Sequence, residues 1–203
     1  MAESDRRWRV AGWVVNGALR AAIVGFVVEA ATASAGDPRF AGKGIPVRNF
    51  VFGGGALTLA FPLLHRSVRP WDRYPVWADA LFLSILALDM AGNSLDLYER
   101  GWRFDLIPHT YGPAAGVATL RVVGVELLPG ALLVNATHLL LEIQEALGDA
   151  LFGTHNVHGW WDTISDLGAG VVGSVGIPLL VQRVRRHRAR GRLAPRHRSY
   201  SKA

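Results

Sequence analysis

Residues 153–181 read "GTHNVHGWWDTISDLGAGVVGSVGIPLLV" and carry an aspartate, Asp166, inside a stretch that is mostly apolar. After Asp166 this stretch has no charged side chain, and a run of about 20 such residues can cross the hydrocarbon core of a bilayer. Trp160 and Trp161 are typical of the membrane–water interface. At about 1.5 Å of rise per residue, Asp166 would lie roughly two helical turns below that interface. The segment therefore predicts a membrane helix with a shallow, buried carboxylate.

The rest of the chain has the same character. Of its 203 residues, 50% are hydrophobic and 19% are charged, and the apolar residues occur in blocks rather than at amphipathic spacing. Most blocks also contain Gly, Asn, Asp, Glu or His, which favours helices packed around something polar. We expect an all-α, polytopic membrane bundle over residues 1–182 with about six transmembrane helices, at residues 10–33, 47–65, 76–97, 105–123, 127–148 and 160–182.

The distribution of basic residues predicts the orientation, because cytoplasmic flanks of membrane helices collect Lys and Arg. Arginines precede span one and lie between spans two and three, and the strongly basic segment 183–203 is expected to be a disordered cytoplasmic tail. Loop 149–159 has no Lys or Arg, as expected of an outside loop. Both termini are therefore predicted to be cytoplasmic. Five basic residues on the outer side weaken this assignment: Arg39, Lys43, Arg48, Arg100 and Arg103.

Two other interpretations of the basic and N-terminal segments stay open. "RRWR", an apolar stretch and "ATASAGD" together imitate a cleavable secretory signal, although Arg20 and Glu29 would make a poor signal core. The net charge of +6 could indicate nucleic-acid binding, but its concentration after the last apolar block favours a topology signal or contact with anionic lipids. The expected partners are thus membrane lipids, and nucleic acid is not expected. With no cysteines, the chain has no disulfides and no thiol catalysis.

Acidic and histidine side chains recur at helical spacing near the predicted outer ends of four spans. Side chains three or four residues apart share one face of a helix, which predicts an acidic face on each span. These residues are Asp89, Asn93 and Asp96 on span three, Asp105 and His109 on span four, His138, Glu142, Glu145 and Asp149 on span five, and Asp162 and Asp166 on span six. The inner halves of spans five and six contain no ionisable side chain. We therefore expect one shared pocket that opens outward and has a closed floor.

Such a pocket favours acid–base chemistry. Charges inside a membrane cost on the order of 2 to 3 kcal/mol each, so they normally face a bundle interior or a wet cavity. Crowded carboxyl groups can hold a proton at neutral pH, which would place a general acid beside a general base. We predict Glu142 and Asp166 as the central catalytic residues, with His109 as proton shuttle and support from Asp105, Glu145 and Asp162. The substrate class would be a lipid-like molecule of the outer leaflet, for example an isoprenoid that is cyclised after protonation.

The motifs "FDLIPHTYGPAAG" and "LLLEIQEALGDALFGTHNVHGWWDTISDLGAGVVG" resemble the YjdF-like family of small bacterial inner-membrane proteins. The shared features are an aspartate four residues before a histidine, E-x-x-E, "FGT", "WDTxSD" and a small-residue helix, all within about residues 105–176. The order of the acidic motifs is more loosely similar to VanZ-like proteins. The resemblance implies a bacterial inner-membrane location. It falls on Asp105, His109, Glu142, Glu145, Asp162, Thr163, Ser165 and Asp166, and it does not include His155 or His158.

Each of these residues also has a structural interpretation. Asp162 could be a helix N-cap, and Glu142 and Glu145 could pair with Arg100 or Arg103. His155 and His158 form an H-x-x-H pair that is more often solvated than bound to metal in a loop. A divalent cation held by the acidic residues is chemically reasonable, but the sequence does not require one, so the cofactor is unknown. The alternative functions are an ion-coupled transporter and a structural or envelope-stress membrane protein.

Overall fold

The computed structural model describes residues 3–55, 59, 62–63, 65, 74–100, 104–157 and 159–193. Within these ranges the ordered elements are all helical and no β-strand occurs, which confirms the predicted fold class for them. The helices are α1 (Glu3–Thr32), α2 (Ile45–Asn49), α3 (Val76–Ser94), α4 (Leu97–Arg100), α5 (Leu106–Val122), α6 (Leu127–Phe152), α7 (Trp160–Val171) and α8 (Ile177–Leu193). π-helical turns extend α2 over Phe50–Gly54 and join α7 to α8 over Val172–Gly176.

Four helices are long and apolar enough to cross a membrane: Glu3–Thr32, Val76–Ser94, Leu127–Phe152 and Trp160–Ala189. They coincide with the predicted spans one, three, five and six. The predicted span 47–65 begins in α2 and its π-helical turn, and much of its remainder lies outside the described residues. Helix α5 coincides with the predicted span 105–123, but its 17 residues fall short of the usual length of about 20. Four candidate spans are therefore supported, and a total of about six stays a prediction.

The outward faces of the long helices are apolar. On α1, Val14 and Val28 are exposed, and on α6 Leu132 and Leu140 are exposed, as are many other large hydrophobic side chains of these helices. Soluble proteins rarely leave apolar surface of this extent in contact with water. Every backbone polar group in a bilayer must be paired internally, which helices achieve. The exposed apolar faces are thus suited to contact with lipid.

The helices pack around α5. Helices α1 and α3 run parallel, with the rings of Trp8 and Trp77 stacked 4.7 Å apart at one end and Ile23 packed on Leu83 further along. Helix α3 packs on α5, which also contacts α6, α7 and the π-helical turn after α7. A short helix surrounded by longer ones exposes little of its length to lipid. This position explains how α5 can contribute to a membrane bundle despite its length.

Helix ends follow local sequence rules, and the last helix is longer than predicted. Helix α6 ends at Phe152 and is capped by Gly153, whose left-handed conformation (φ 66°) favours glycine. The N–H of Gly153 donates to the carbonyl of Asp149. Helix α8 continues through Leu193, so the first part of the basic segment 183–203 is helical rather than disordered. Arg, Ala and Leu are good helix formers, and they extend the helix that the apolar residues begin. Residues 194–203 lie outside the described residues.

Candidate functional site

Five ionisable side chains from one end of three helices meet beside α5. We call them the His/carboxylate centre, and its members are Asp105, His109, His138, Glu142 and Asp166. Asp105 directly precedes α5 and His109 lies in its first turn, while His138 and Glu142 lie on α6 and Asp166 on α7. Four of these five are residues that the sequence predicted as catalytic. The structure therefore brings acidic side chains from the predicted spans four, five and six together, as expected.

The two histidines are in direct contact. Nδ1 of His109 lies 2.7 Å from Nε2 of His138, and the two rings stack with centroids 4.9 Å apart. Oε1 of Glu142 lies 3.4 Å from Nε2 of His138 and 3.7 Å from Nδ1 of His109. On the other side of the His109 ring, Nε2 lies 3.3 Å from Oδ1 of Asp105. A chain of polar contacts thus runs from α6 through His109 to the start of α5.

The centre is largely closed to solvent. Glu142 and Asp166 retain only 6% and 3% of their accessible surface, and His138 retains 7%. Oδ1 of Asp166 is buried and has no hydrogen-bond partner. Within the part of the chain that the structure describes, neither Glu142 nor Asp166 forms an ion pair with a Lys or Arg. A buried carboxylate without a counter-charge is costly, so these two groups require a proton or a cation nearby.

Helical spacing and small residues bring these groups together. Asp105 and His109 are four residues apart, and so are His138 and Glu142, so each pair occupies one face of its helix. On α7, Gly170 lies against the ring of His138, and a Cβ atom there would overlap Nδ1 of that ring. The absence of a side chain at this glycine therefore lets α6 and α7 approach closely enough for the histidine to fit between them.

A neutral polar layer lies below the centre. Nδ2 of Asn135 donates to Oγ of Ser174, at 2.7 Å, and also to the carbonyl of Ala131. Ser174 is fully buried and belongs to the π-helical turn between α7 and α8. Turns of this type occur often beside functional sites. This layer lies where the sequence predicted a floor without ionisable groups.

Glu145 belongs to a separate ion-pair network. Arg48 lies 2.9 Å from Oε1 of Glu145 and 2.6 Å from Oδ1 of Asp89, and the phenol of Tyr98 donates to the same Asp89 oxygen. Burial raises the pKa of the Tyr98 phenol, so it stays a donor at any physiological pH. The alternative pairing of Glu145 with Arg100 is wrong, since Arg100 pairs with Asp96, and Arg103, the other arginine considered, lies outside the described residues. Glu145 is thus held by an arginine that the sequence placed only as an exception to the charge rule.

A second buried network joins α1 to α3 near the opposite end of the bundle. Oδ2 of Asp79 accepts hydrogen bonds from Asn16 at 2.8 Å, from Arg20 at 2.6 Å and from the phenol of Tyr74 at 2.6 Å. Asp79 is fully buried and Asn16 is 2% exposed. Arg20 also donates to Asn16. This network explains why an arginine occurs inside the first span: it is the counter-charge of a neighbouring helix.

Asp162 and Asp149, also on the predicted acidic faces, belong to neither group of converging donor atoms. Asp162 lies in the first turn of α7, which begins at Trp160 after Gly159, so the N-cap interpretation of Asp162 is wrong. Asp149 instead accepts hydrogen bonds from the loop after α6, from the hydroxyl of Thr154 and the backbone N–H groups of Asn156 and Val157. The H-x-x-H pair stays untested, because His158 lies outside the described residues.

His138 was expected on the acidic face of span five but was not among the predicted catalytic residues, although it contacts both His109 and Glu142. Its spacing to Glu142, H-x-x-x-E, mirrors the D-x-x-x-H spacing of Asp105 and His109. Two such pairs on consecutive antiparallel helices would bring histidine to histidine. Asp79 was also missed, because a single aspartate near a helix start has no spacing partner within its own helix.

The donor atoms of the centre could hold a metal ion. Two sets of three ligand atoms lie within 4.8 Å of one another, one from His109, His138 and Glu142 and one from Asp105, His109 and Asp166. Nitrogen and carboxylate oxygen atoms in such sets suit transition metals, Zn²⁺ among them. Without a metal, the same groups are placed to pass protons between two imidazoles and the adjacent carboxylates.

Comparison of the chain with family models, with curated proteins and with solved structures finds no match.

Proposed function

We propose that this protein is a membrane-embedded enzyme that performs acid–base chemistry on a lipid-like substrate at the outer leaflet. The observation that carries the proposal is the direct contact of His109 with His138 among three carboxylates, two of them buried without a Lys or Arg among the described residues. Buried titratable groups that crowd one another are characteristic of catalytic sites. A merely structural ion-pair network would use an arginine here, as the networks around Arg48 and Arg20 do.

The geometry supports a proton relay. Nδ1 of His109 faces His138 and its Nε2 faces Asp105, so a proton that arrives at one ring nitrogen can leave from the other. Glu142 and Asp166 line this path at the buried end and serve as acid and base. One specific form of the reaction is cyclisation of an isoprenoid, started when a protonated carboxyl group donates to an olefin or epoxide.

The surroundings favour an amphiphilic substrate. Trp160 and Trp161 are exposed at the start of α7, and at about 1.5 Å per residue Asp166 lies roughly 9 Å further along the helix. Apolar faces of α6, including Leu140, are exposed beside the centre. A lipid could thus place its polar end at the centre while its chains stay in the bilayer.

The number of membrane crossings, the membrane itself and the side on which the termini lie are part of this proposal. Six crossings in the bacterial inner membrane, with both termini in the cytoplasm, are supported by the parallel course of α1 and α3, which calls for a return crossing between them. Membership of the YjdF-like family also remains a proposal, supported by the fact that Asp105, His109, Glu142 and Asp166, all in the shared motifs, meet in one centre. The cysteine-free chain allows a direct test of topology. A membrane-impermeant maleimide should label Ala35→Cys and not Ser4→Cys from the outside, and the reverse pattern would contradict the orientation.

Activity is best tested by lipid analysis. Membranes from cells that produce the wild type, Glu142→Gln or Asp166→Asn are extracted and compared by mass spectrometry, and lipids that differ are then offered to the purified protein in detergent. We expect turnover by the wild type and a loss of about 100-fold or more in each variant, the usual size of an acid–base contribution. Glu126→Gln, which changes an exposed carboxylate, is the control. Identical lipid profiles for the wild type and both variants would refute the proposal.

An ion-coupled transporter is the second candidate, favoured by one observation. The buried Asp79 and Arg20 pair places ionisable groups near the inner end of the bundle as well, whereas spans five and six have none there. Alternating access needs polar groups that can be reached from both sides. A transporter would show substrate flux in proteoliposomes that stops in Glu142→Gln and would show no lipid turnover in detergent, whereas the enzyme needs no gradient.

A further inference from the structure

Three donor atoms of the His/carboxylate centre converge from two antiparallel helices. They are Nδ1 of His109, Nε2 of His138 and Oε1 of Glu142. We propose that these atoms bind one divalent transition-metal ion of the Zn²⁺ class, with a fourth coordination position left for water or substrate. This inference rests on the proposed function and assigns a cofactor to the same centre. With the ion bound, Nδ1 of His109, Nε2 of His138 and Glu142 would be ligands, so the metal-bound water and Asp166 would carry the acid–base role. Two histidines, one glutamate and an open position are a ligand set used by catalytic zinc sites.

The distances suit a single ion. Ligand atoms bonded at about 2.0–2.1 Å to one tetrahedral ion lie roughly 3.3 Å from each other. Glu142 lies 3.4 Å from the His138 nitrogen and 3.7 Å from the His109 nitrogen, close to that separation. The two nitrogens are 2.7 Å apart and need to separate by about half an ångström, which small rotations of the side chains provide.

Asp105 occupies the position of an orienting carboxylate. Its Oδ1 lies 3.3 Å from Nε2 of His109, the ring nitrogen that would remain free when Nδ1 binds the ion. Metal-bound histidines almost always donate their second N–H to such a group, which fixes the tautomer and the plane of the ring. Asp105 would thus be a positioning residue and not a ligand.

Asp166 gives an independent indication of a cation. Its Oδ1 is buried with no hydrogen-bond partner, and one of its oxygens lies within 4.8 Å of the donor atoms of Asp105 and His109. Among the described residues no Lys or Arg pairs with Asp166 or with Glu142. A divalent ion bound to His109 would supply positive charge directly to Glu142 and, through the His109 ring, to Asp166.

The test uses the purified full-length protein in detergent, depleted of metal with EDTA and titrated with Zn²⁺ by calorimetry and with Co²⁺ by visible absorption. We expect one ion per chain and the absorption bands of four-coordinate cobalt. His138→Gln and Glu142→Gln should weaken binding by about 100-fold or more, and Asp105→Asn by about 10- to 100-fold. His155→Gln, which changes a histidine of the outer loop, should bind as the wild type does. Thermal unfolding without metal identifies any variant that fails to fold.

Several results would overturn the metal site: no stoichiometric binding by the wild type, undiminished binding by a folded His138→Gln protein, or loss of binding in His155→Gln. If His138→Gln does not fold, the weaker binding and altered cobalt spectrum expected of Asp105→Asn decide the question. Lipid turnover that survives EDTA would refute the metal site but not the proposed enzyme. Metal binding without any lipid turnover would refute the proposed enzyme but not the metal site.

Discussion

Replacing Asp79 by leucine removes the acceptor at the centre of the buried network between α1 and α3. One oxygen of this carboxylate accepts hydrogen bonds from Asn16, Arg20 and Tyr74, and the side chain has no exposed surface. In Asp79→Leu the guanidinium of Arg20, which is 21% exposed, loses its carboxylate partner. Leucine has the branched shape of aspartate but is larger, so the change reports on packing as well as on the lost polar interactions.

The loss of stability expected in Asp79→Leu can be bounded in two ways. Side-chain hydrogen bonds within membrane proteins contribute about 0.6 kcal/mol on average and at most about 1.7 kcal/mol, so the three bonds to Asp79 total about 2 to 5 kcal/mol. Breaking a buried ion pair by removal of one partner costs about 3 to 5 kcal/mol. We therefore expect Asp79→Leu to lower the free energy of unfolding by about 2 to 5 kcal/mol.

Equilibrium unfolding in mixed micelles, followed by circular dichroism, measures this change. Glu126→Ala is the control, because its exposed pair with Arg121 should contribute less than about 1 kcal/mol. The double variant Arg20→Met with Asp79→Leu removes both charges and should regain at least half of the lost stability. The reasoning would be refuted if Asp79→Leu cost no more than the control, or if the double variant were less stable than the single one.

Three further predictions concern other parts of the bundle. Gly173→Ala would press a Cβ onto the backbone of α5 and should cost about 1 to 3 kcal/mol, whereas Gly25→Ala, with open space around it, should stabilise by up to about 1 kcal/mol in the same unfolding assay. Hydrogen bonds from Arg39 lower the pKa of Asp37, so its stabilising effect is present above the unfolded pKa of about 3.9 and is lost as pH falls through the lower folded value. The difference in melting temperature between the wild type and Asp37→Asn should therefore shrink below about pH 4, and a constant difference would contradict this. Tyr98→Phe should cost about 1 kcal/mol and leave lipid turnover unchanged, and reduced turnover at full stability would count against the separation of its network from the centre.

The positions of the long helices could be predicted from the sequence because apolar blocks of sufficient length are a direct consequence of the bilayer. The acidic faces of spans four to six could also be predicted, since spacings of three and four residues fix a helical face whatever the neighbours are. That rule brought Asp105, His109, Glu142 and Asp166 into one site. It also holds for His138, which was expected on the same face as Glu142 but was not predicted to be catalytic.

Contacts between helices that are distant in sequence could not be predicted from spacing within one helix. Arg48 pairs with Glu145, and Asp79 with Arg20, across separations that no periodicity within one helix encodes. Both arginines appeared only as exceptions, one to the charge rule for outer loops and one to the apolarity of span one. Packing between helices decides which carboxylate pairs with an arginine. Glu145 has such a partner, and Glu142 has none among the described residues.

The π-helical turn over Val172–Gly176 gives the last span one place where its length can change. Such a turn closes its hydrogen bonds over five residues and so accommodates one residue more than a regular α-helix would. Deleting a single residue there would restore the regular ladder and leave the arginines of α8 on the same side of the bundle. A deletion in the regular part of α7 would instead rotate everything that follows by about 100°. Single-residue deletions should thus be tolerated within this turn and not beside it.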